Sequence, residues 1–230
     1  TGEAALAKAV DWLKRVGIPE PERRVNDYPF QMSGGQKQRV MIAIALAADP
    51  DLVIADEPTT ALDVTIQAQI LGLLKELQSS QKMAMLLITH DLAIVAQMAH
   101  RVALMYAGQI VEVAEAKDFF EQPLHPYAVN LFESLPDTSK RGRKLASIPG
   151  TVPPLNQTFG GCRFAERCGN VMDRCRAAPP PLIPFRLNHA VRCVLYDAVR
   201  PEEPVVRVYA KDPELPKDAA AGDTLLEVRD

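Results

Sequence analysis

The sequence predicts an α/β fold built on a parallel sheet, followed by a small irregular segment that holds every cysteine. Three observations predict it. Two continuous apolar runs, Leu52-Val53-Ile54-Ala55 and residues 83–89, bracket a stretch in which Ile66, Ile70, Leu73, Leu74 and Leu77 recur at helical spacing. Strand, crossover helix and strand of this kind make a βαβ unit, whose strands are parallel and whose connection is right-handed. Beyond Leu135 the composition changes, with eight of the 19 prolines falling in residues 136–184 and the four cysteines falling between positions 162 and 193.

The elements follow in order. Residues 1–16 place Ala5, Leu6, Ala9, Trp12, Leu13 and Val16 on one helical face, and Gly17-Ile18-Pro19 ends the pattern. A second helix opens at Ser33-Gly34-Gly35, carries Val40, Met41, Ile44, Ala45 and Ala48 as its apolar face, and closes at Asp49-Pro50. The short apolar run at residues 52–55 fits a strand buried on both faces, as in parallel sheets. Asp63 reads as the N-cap of the crossover helix, which ends near Ser79-Ser80. After the second strand come a helix over residues 92–100, a hairpin of residues 102–106 and 109–113 around Ala107-Gly108, and helical pieces at 118–120 and 127–135. Regular structure is expected to be sparse in the proline-rich region, and residues 201–222 read as a linker.

Composition excludes several classes. With 26 Lys and Arg against 29 Asp and Glu the net charge is −3, and 47% of residues are hydrophobic. This is a globular composition without the basic footprint of a nucleic-acid binder. The longest apolar run, residues 40–48, spans nine positions, against the ~20 that a membrane-spanning helix needs. Glu3, Lys8, Asp11, Lys14 and Arg15 interrupt the first 16 residues, unlike a secretory leader.

Two sets of polar residues carry chemistry. Asp56 and Glu57 end the first strand, and Thr89 and His90 end the second. In a parallel sheet both sets leave at the same carboxyl edge, where α/β folds bind ligands. Carboxylates following a buried strand are costly unless a cation or hydrogen bonds compensate, which makes Mg²⁺ a candidate guest of Asp56. An N-cap or a solvated strand end is the plainer alternative. Ser33-Gly34-Gly35-Gln36, just before a helix, lets the backbone approach an anion such as phosphate, although glycines also serve ordinary turns.

Taken in order, Met32-Ser33-Gly34-Gly35-Gln36-Lys37-Gln38-Arg39, Leu52-Val53-Ile54-Ala55-Asp56-Glu57-Pro58, Ala61-Leu62-Asp63 and Ile88-Thr89-His90-Asp91 resemble the ATPase subunits of ABC transporters. The resemblance implies the C-terminal part of an ABC-type P-loop ATPase domain. It places Ser33, Gly34, Gly35 and Gln36 in the signature motif that touches ATP bound on the opposite ATPase domain. It makes Asp56 the Walker B aspartate supporting Mg²⁺, Glu57 the catalytic glutamate that polarises water, Asp63 the D-loop aspartate, and His90 the switch histidine on the γ-phosphate. No G-x-x-x-x-G-K-[ST] loop occurs in the 230 residues. The expectation is therefore a fragment that does not hydrolyse ATP alone.

His125-Pro126-Tyr127, Leu131, Ser134-Leu135-Pro136, Ile148-Pro149-Gly150, Gly161-Cys162-Arg163-Phe164 and Arg167-Cys168 look like the C-terminal extension of dipeptide and oligopeptide importer ATPases. Ala114 stands where that family is expected to have a glycine in a turn. The implied organisation is a helical subdomain remainder at 1–48, an α/β core at 49–120, the extension at 121–200, the linker, and at 223–230 the opening strand of a second ATPase domain fused downstream. The implied function is ATP-driven peptide import at the cytoplasmic face of the membrane, with a second ATPase domain, two transmembrane permease subunits and an extracytoplasmic binding protein as partners. Nickel or glutathione as cargo, and a non-catalytic regulatory module, are the alternatives.

Cys162, Cys168, Cys175 and Cys193 are separated by five, six and seventeen intervening residues and lack the C-x₂₋₄-C knuckle usual for structural zinc. Four thiolates in a loop-rich segment suit a [4Fe–4S] cluster, and such a cluster has been assigned to this extension in the importer ATPases that the chain resembles. Zinc and unligated thiols remain alternatives. His100 and His125 read as structural, and His189 as a surface histidine or an outer support of the cysteine site.

Overall fold

A computed structural model describes residues 2–136, 147–154 and 156–197. The expected linker and the strand-like residues 223–230 lie outside the described residues. The chain divides into two units, residues 1–100 and 101–230.

The first unit runs α1 (Gly2–Arg15), α2 (Pro21–Arg24), a 3₁₀ turn at Pro29–Gln31, α3 (Gly34–Leu46), β1 (Leu52–Asp56), α4 (Val64–Gln81), β2 (Ala84–Ile88) and α5 (Leu92–Met98). Gly17 ends α1 with φ 74°, and Ile18 N–H bonds to Leu13 O while Gly17 N–H bonds to Lys14 O. That is a Schellman cap, which only a residue tolerant of positive φ enters cheaply. Trp12 and Leu13 of α1 and Val16 just past it meet Ile42 and Leu46 of α3 and Ile70 and Leu74 of α4 in one core. Arg39 ties the three helices, its guanidinium donating to Val16 O at 2.6 Å and to Gln69 Oε1 at 3.2 Å.

Two expectations need correction here. The buried residues of α3 are Ile42, Ala43 and Leu46, whereas Met41 and Ile44 are 61% and 70% exposed. Residues 40–48 are uniformly apolar, so hydrophobicity has no period along them, and packing against α1 and α4 selects the face. Nor is the strand pair buried on both sides. β1 and β2 pair in parallel, Leu52 opposite Ala84 through Asp56 opposite Ile88, and Val53, Met83 and Met85 pack into the α4 core. Leu52, Ile54, Leu86 and Ile88 on the other face are all exposed, because no described residue of the unit covers them.

The second unit opens with the expected hairpin, β3 (Arg101–Tyr106) and β4 (Gln109–Glu115). Ala107 and Gly108 at its turn have φ 45° and 75°, the double positive φ of a type I′ turn. Next come α6 (Ala116–Glu121), α7 (Pro126–Ser134), a 3₁₀ turn at Ala165–Arg167, α8 (Asp173–Ala177), β5 (Ile183–Arg186), β6 (His189–Val191) and a 3₁₀ turn at Val194–Tyr196. The proline-rich region is thus more regular than its composition predicts. Its two short strands extend the hairpin into an antiparallel sheet of order β3-β4-β6-β5. Pro184 is accommodated because β5 is the edge. Ala114 lies within β4 opposite Val102, fully buried, so it is a strand residue and not part of a turn.

Glu112 of β4 and His189 of β6 are both buried, which corrects the reading of His189 as a surface group. Glu112 Oε1 accepts from His189 Nε2 at 2.8 Å and from Leu124 N–H at 2.9 Å, and Oε2 accepts from His125 N–H at 2.7 Å. Glu112→Ala strands three buried donors at once, and should lower unfolding stability by about 3 kcal/mol or more in urea titration, at about 1–3 kcal/mol for each buried group left unsatisfied. A loss below about 1 kcal/mol, the scale of a single ordinary hydrogen bond, would show that the carboxylate is not a structural anchor.

Candidate functional site

The register of β1 and β2 builds the first candidate site. Asp56 is the last residue of β1 and pairs with Ile88, the last of β2. One residue past the first strand comes Glu57, and two past the second comes His90, so the two side chains leave the same edge. His90 Nδ1 lies 2.8 Å from Glu57 Oε1, and Thr60 Oγ1 donates to Glu57 Oε2 at 3.0 Å. Glu57 N–H continues the strand ladder onto Ile88 O at 2.9 Å. Its φ is 47°, a left-handed conformation that a non-glycine residue holds only where its surroundings impose it.

Asp56 itself is exposed, and the Glu57 side chain is 36% exposed. The desolvation argument for a cation does not therefore apply as the sequence suggested. What the edge offers is an accessible carboxylate, Asp56, beside a Glu57 that is already oriented. Each oxygen of Glu57 keeps a further lone pair for a water molecule.

Ser33 and Gln36 form a reciprocal capping box at the start of α3. Ser33 Oγ accepts from Gln36 N–H at 3.3 Å, and Gln36 Oε1 accepts from Ser33 N–H at 3.0 Å. The Ser-x-x-Gln spacing is legible in sequence as such a box. Gly34 and Gly35 differ in a way that sequence cannot show. A Cβ on Gly34 would meet Leu62 Cδ2 at an ordinary 3.7 Å, whereas one on Gly35 would lie 2.7 Å from Ile66 Cγ2. Gly35 is thus demanded by the close approach of α3 to the first turn of α4. Asp63 caps that turn as expected, its Oδ1 accepting from Ile66 N–H at 3.0 Å. Among residues the sequence did not single out, Thr60 orients Glu57, and Ile66 sets the place of the Ser33-Gly34-Gly35 segment.

In the second unit Cys162, Cys168, Cys175 and Cys193 all line one cavity, together with His125 and Phe164. Cys162 sits in a loop, Cys168 follows the 3₁₀ turn Ala165–Arg167, Cys175 lies in α8 and Cys193 follows β6. A glycine closes the loop: a Cβ on Gly161 would sit 2.4 Å from Cys175 O, so no side chain fits there. Burial pushes the thiol of Cys162 up, that of Cys168 to about 11 and that of Cys193 to about 12. Backbone N–H groups oppose this, those of Phe164 and Ala165 at Cys162, Asn170 at Cys168 and Leu195 at Cys193. Met172 N–H donates to Cys175 Sγ at 3.4 Å. Among the described residues no three His, Cys, Asp or Glu side chains come together as a site for a single metal ion.

The hydrogen bond to Glu57 raises the pKa of His90 above 6.5, and the bond to His90 lowers that of Glu57 below 4.5. Because the His pKa is raised on pairing, its contribution is complete at low pH and disappears as pH rises through the raised value. The Glu contribution disappears as pH falls through the lowered one. The charged pair therefore spans a window reaching below 4.5 and above 6.5. An NMR titration should place the His90 ring midpoint above 6.5, and Glu57→Gln should return it toward that value. An unchanged midpoint in the variant would show that the pair is not formed in solution.

The profile of the ABC transporter family matches residues 4–60, and that of the oligopeptide/dipeptide transporter C-terminal region matches residues 111–175. The chain is 51% identical over 196 residues to the dipeptide transport ATP-binding protein DppD of Escherichia coli, an alignment covering 84% of this chain and 60% of that protein. It is 49% identical over 210 residues to DppD of Bacillus subtilis, covering 91% of this chain and 62% of that one. The chain thus spans about three fifths of the length of the curated relatives it matches. With one profile inside its first unit and the other inside its second, the chain is similar to ABC transporter ATP-binding proteins in the first and to the oligopeptide/dipeptide transporter C-terminal region in the second.

Proposed function

We propose that this chain is part of an ATPase that couples ATP hydrolysis to the import of dipeptides or oligopeptides. The observation that carries the reading is the pairing of Glu57 with His90 at the carboxyl edge of β1 and β2, beside the exposed carboxylate of Asp56. Peptide as cargo is supported by the dipeptide transport relatives and by the C-terminal region.

In this reading Glu57 orients and polarises the attacking water, and His90 holds Glu57 in place and reaches the terminal phosphate. Phosphoryl transfer is mainly a matter of positioning and charge stabilisation, and a carboxylate gripped from both sides is positioned. Asp56 would support Mg²⁺, which neutralises phosphate charge when bound. The α3 N-terminus, rigidified by the Ser33–Gln36 box and set close to α4 by Gly35, offers its N–H groups to phosphate. That phosphate would belong to ATP on a second ATPase domain, with Asp63 at the junction. Two transmembrane permease subunits and an extracytoplasmic binding protein complete the assembly at the cytoplasmic membrane face. A second ATPase domain fused downstream would act at high effective concentration.

For the extension we propose a [4Fe–4S] cluster held by Cys162, Cys168, Cys175 and Cys193. Four cysteines meet the ligand count of such a cluster, and their spacing lacks the C-x₂₋₄-C knuckle usual for structural zinc. The shared cavity supports that reading, as do the backbone N–H groups facing the sulfurs.

In the full-length protein Glu57→Gln should still bind ATP while turnover falls about 10²–10⁴-fold, the usual cost of losing a general base. Near wild-type hydrolysis in a coupled ATPase assay would remove Glu57 from this role. Protein purified anaerobically should be brown, with iron and acid-labile sulfide, and Cys168→Ser should lose both. Stoichiometric zinc without iron would overturn the cluster.

A further inference from the structure

Among the described residues, one buried polar atom of the side chains lining the cysteine cavity has no partner: Nε2 of His125, a residue 1% exposed. Buried polar groups are nearly always paired, so an orphan in a well-formed unit calls for a specific explanation. The rest of the residue is tightly held. Its backbone N–H donates to Glu112 Oε2 at 2.7 Å, and its Nδ1 accepts from Tyr127 N–H at 3.1 Å, capping α7. The ring packs edge-on against Phe164 with centroids 5.8 Å apart. Both rings line the cavity that the four cysteines share.

We propose that His125 donates its Nε2–H to a sulfur of the iron–sulfur cluster held by Cys162, Cys168, Cys175 and Cys193, a positioning and tuning role that rests on the cluster reading above. Tautomer chemistry gives the direction. Nδ1 is occupied as an acceptor by a backbone N–H, so in the neutral ring the proton sits on Nε2. A ring whose Nδ1 accepts from Tyr127 N–H and whose proton sits on Nε2 has no lone pair on Nε2 with which to bind iron, and four cysteines already meet the ligand count of the cluster. What remains is an unpaired N–H donor on a residue that lines a sulfur-rich cavity, together with the apolar Phe164, Ala165, Pro180 and Val194. Hydrogen bonds to cluster sulfur stabilise the more negative, reduced state and raise the reduction potential.

The test uses full-length protein purified anaerobically, labelled with ¹⁵N-histidine and reduced with dithionite. Pulsed EPR should show a weak ¹⁵N coupling to the reduced cluster that disappears in His125→Asn. Asparagine retains an oxygen that can cap Tyr127 N–H but cannot reach as far as Nε2. With iron and sulfide unchanged, the variant should have a more negative midpoint potential than wild type. An unmoved potential in a variant that keeps its iron overturns the inference alone. Should the variant lose the cluster, the wild-type spectrum decides: no histidine coupling overturns the inference, and a strong coupling typical of nitrogen bound to iron replaces the donor with a ligand. Wild-type protein without iron and sulfide overturns the cluster reading itself, and the inference with it.

Discussion

A carboxyl group buried in the second unit, that of Glu112, ties together segments that border the cysteine cavity. Removing a charged group from water is costly unless hydrogen bonds replace the lost hydration, and Glu112 receives three, from His189, Leu124 and His125. Those partners come from β6 and from the turn that leads into α7, segments more than sixty residues apart in sequence. The same carboxylate thus fixes a strand of the cysteine-bearing stretch and the backbone of His125. Cys193 follows β6 by two residues, and His125 caps α7, so two residues lining the cysteine cavity are placed with reference to one buried side chain. Tyr196 adds a parallel tie, its hydroxyl donating to Leu124 O at 2.7 Å.

In the first unit the corresponding constraint is strand register. Because β1 and β2 run in parallel with Asp56 opposite Ile88, the residues just past each strand meet without any long excursion. Glu57 pairs with His90 for that reason, and the left-handed turn at Glu57 lets its side chain leave at the edge while its N–H stays in the ladder. Buried Pro58 and Thr59 hold the turn from behind. A left-handed conformation at a non-glycine residue is tolerated where neighbouring structure over-determines it. The helix that supplies the serine and glycines is placed by a different contact, the one between Gly35 and Ile66, so two unrelated packing constraints position the two parts of the site.

The exposed apolar ladder of Leu52, Ile54, Leu86 and Ile88 shows where sequence reasoning overreached. A continuous apolar strand is the mark of a sheet meant to be covered on both faces, and the run reports that intrinsic pattern. Burial, however, depends on which neighbours are present. On the α4 side the prediction holds, and on the other no described residue of the unit supplies a cover. The short β5 and β6 illustrate the reverse. Proline content argued against regular structure, but an edge position tolerates Pro184, and pairing with β4 supplies the hydrogen bonds that propensity does not.

Local chemistry was legible in the residues alone. Capping by Ser33 and Asp63, the glycine stop at Gly17, the βαβ pattern and the emergence of Glu57 and His90 at one edge all follow from rules acting over a few residues, where backbone hydrogen bonding and steric limits dominate. The motif order in residues 32–91 likewise pointed to the family. Tertiary structure alone decided the buried face of α3, the strand place of Ala114, the need for glycine at 35 and 161, and the burial of His125 and His189. Each of these depends on atoms brought close from distant parts of the chain. A side chain carries its polarity and volume in the sequence, but whether it is dry, crowded or left without a partner is a property of the neighbours that folding assembles around it.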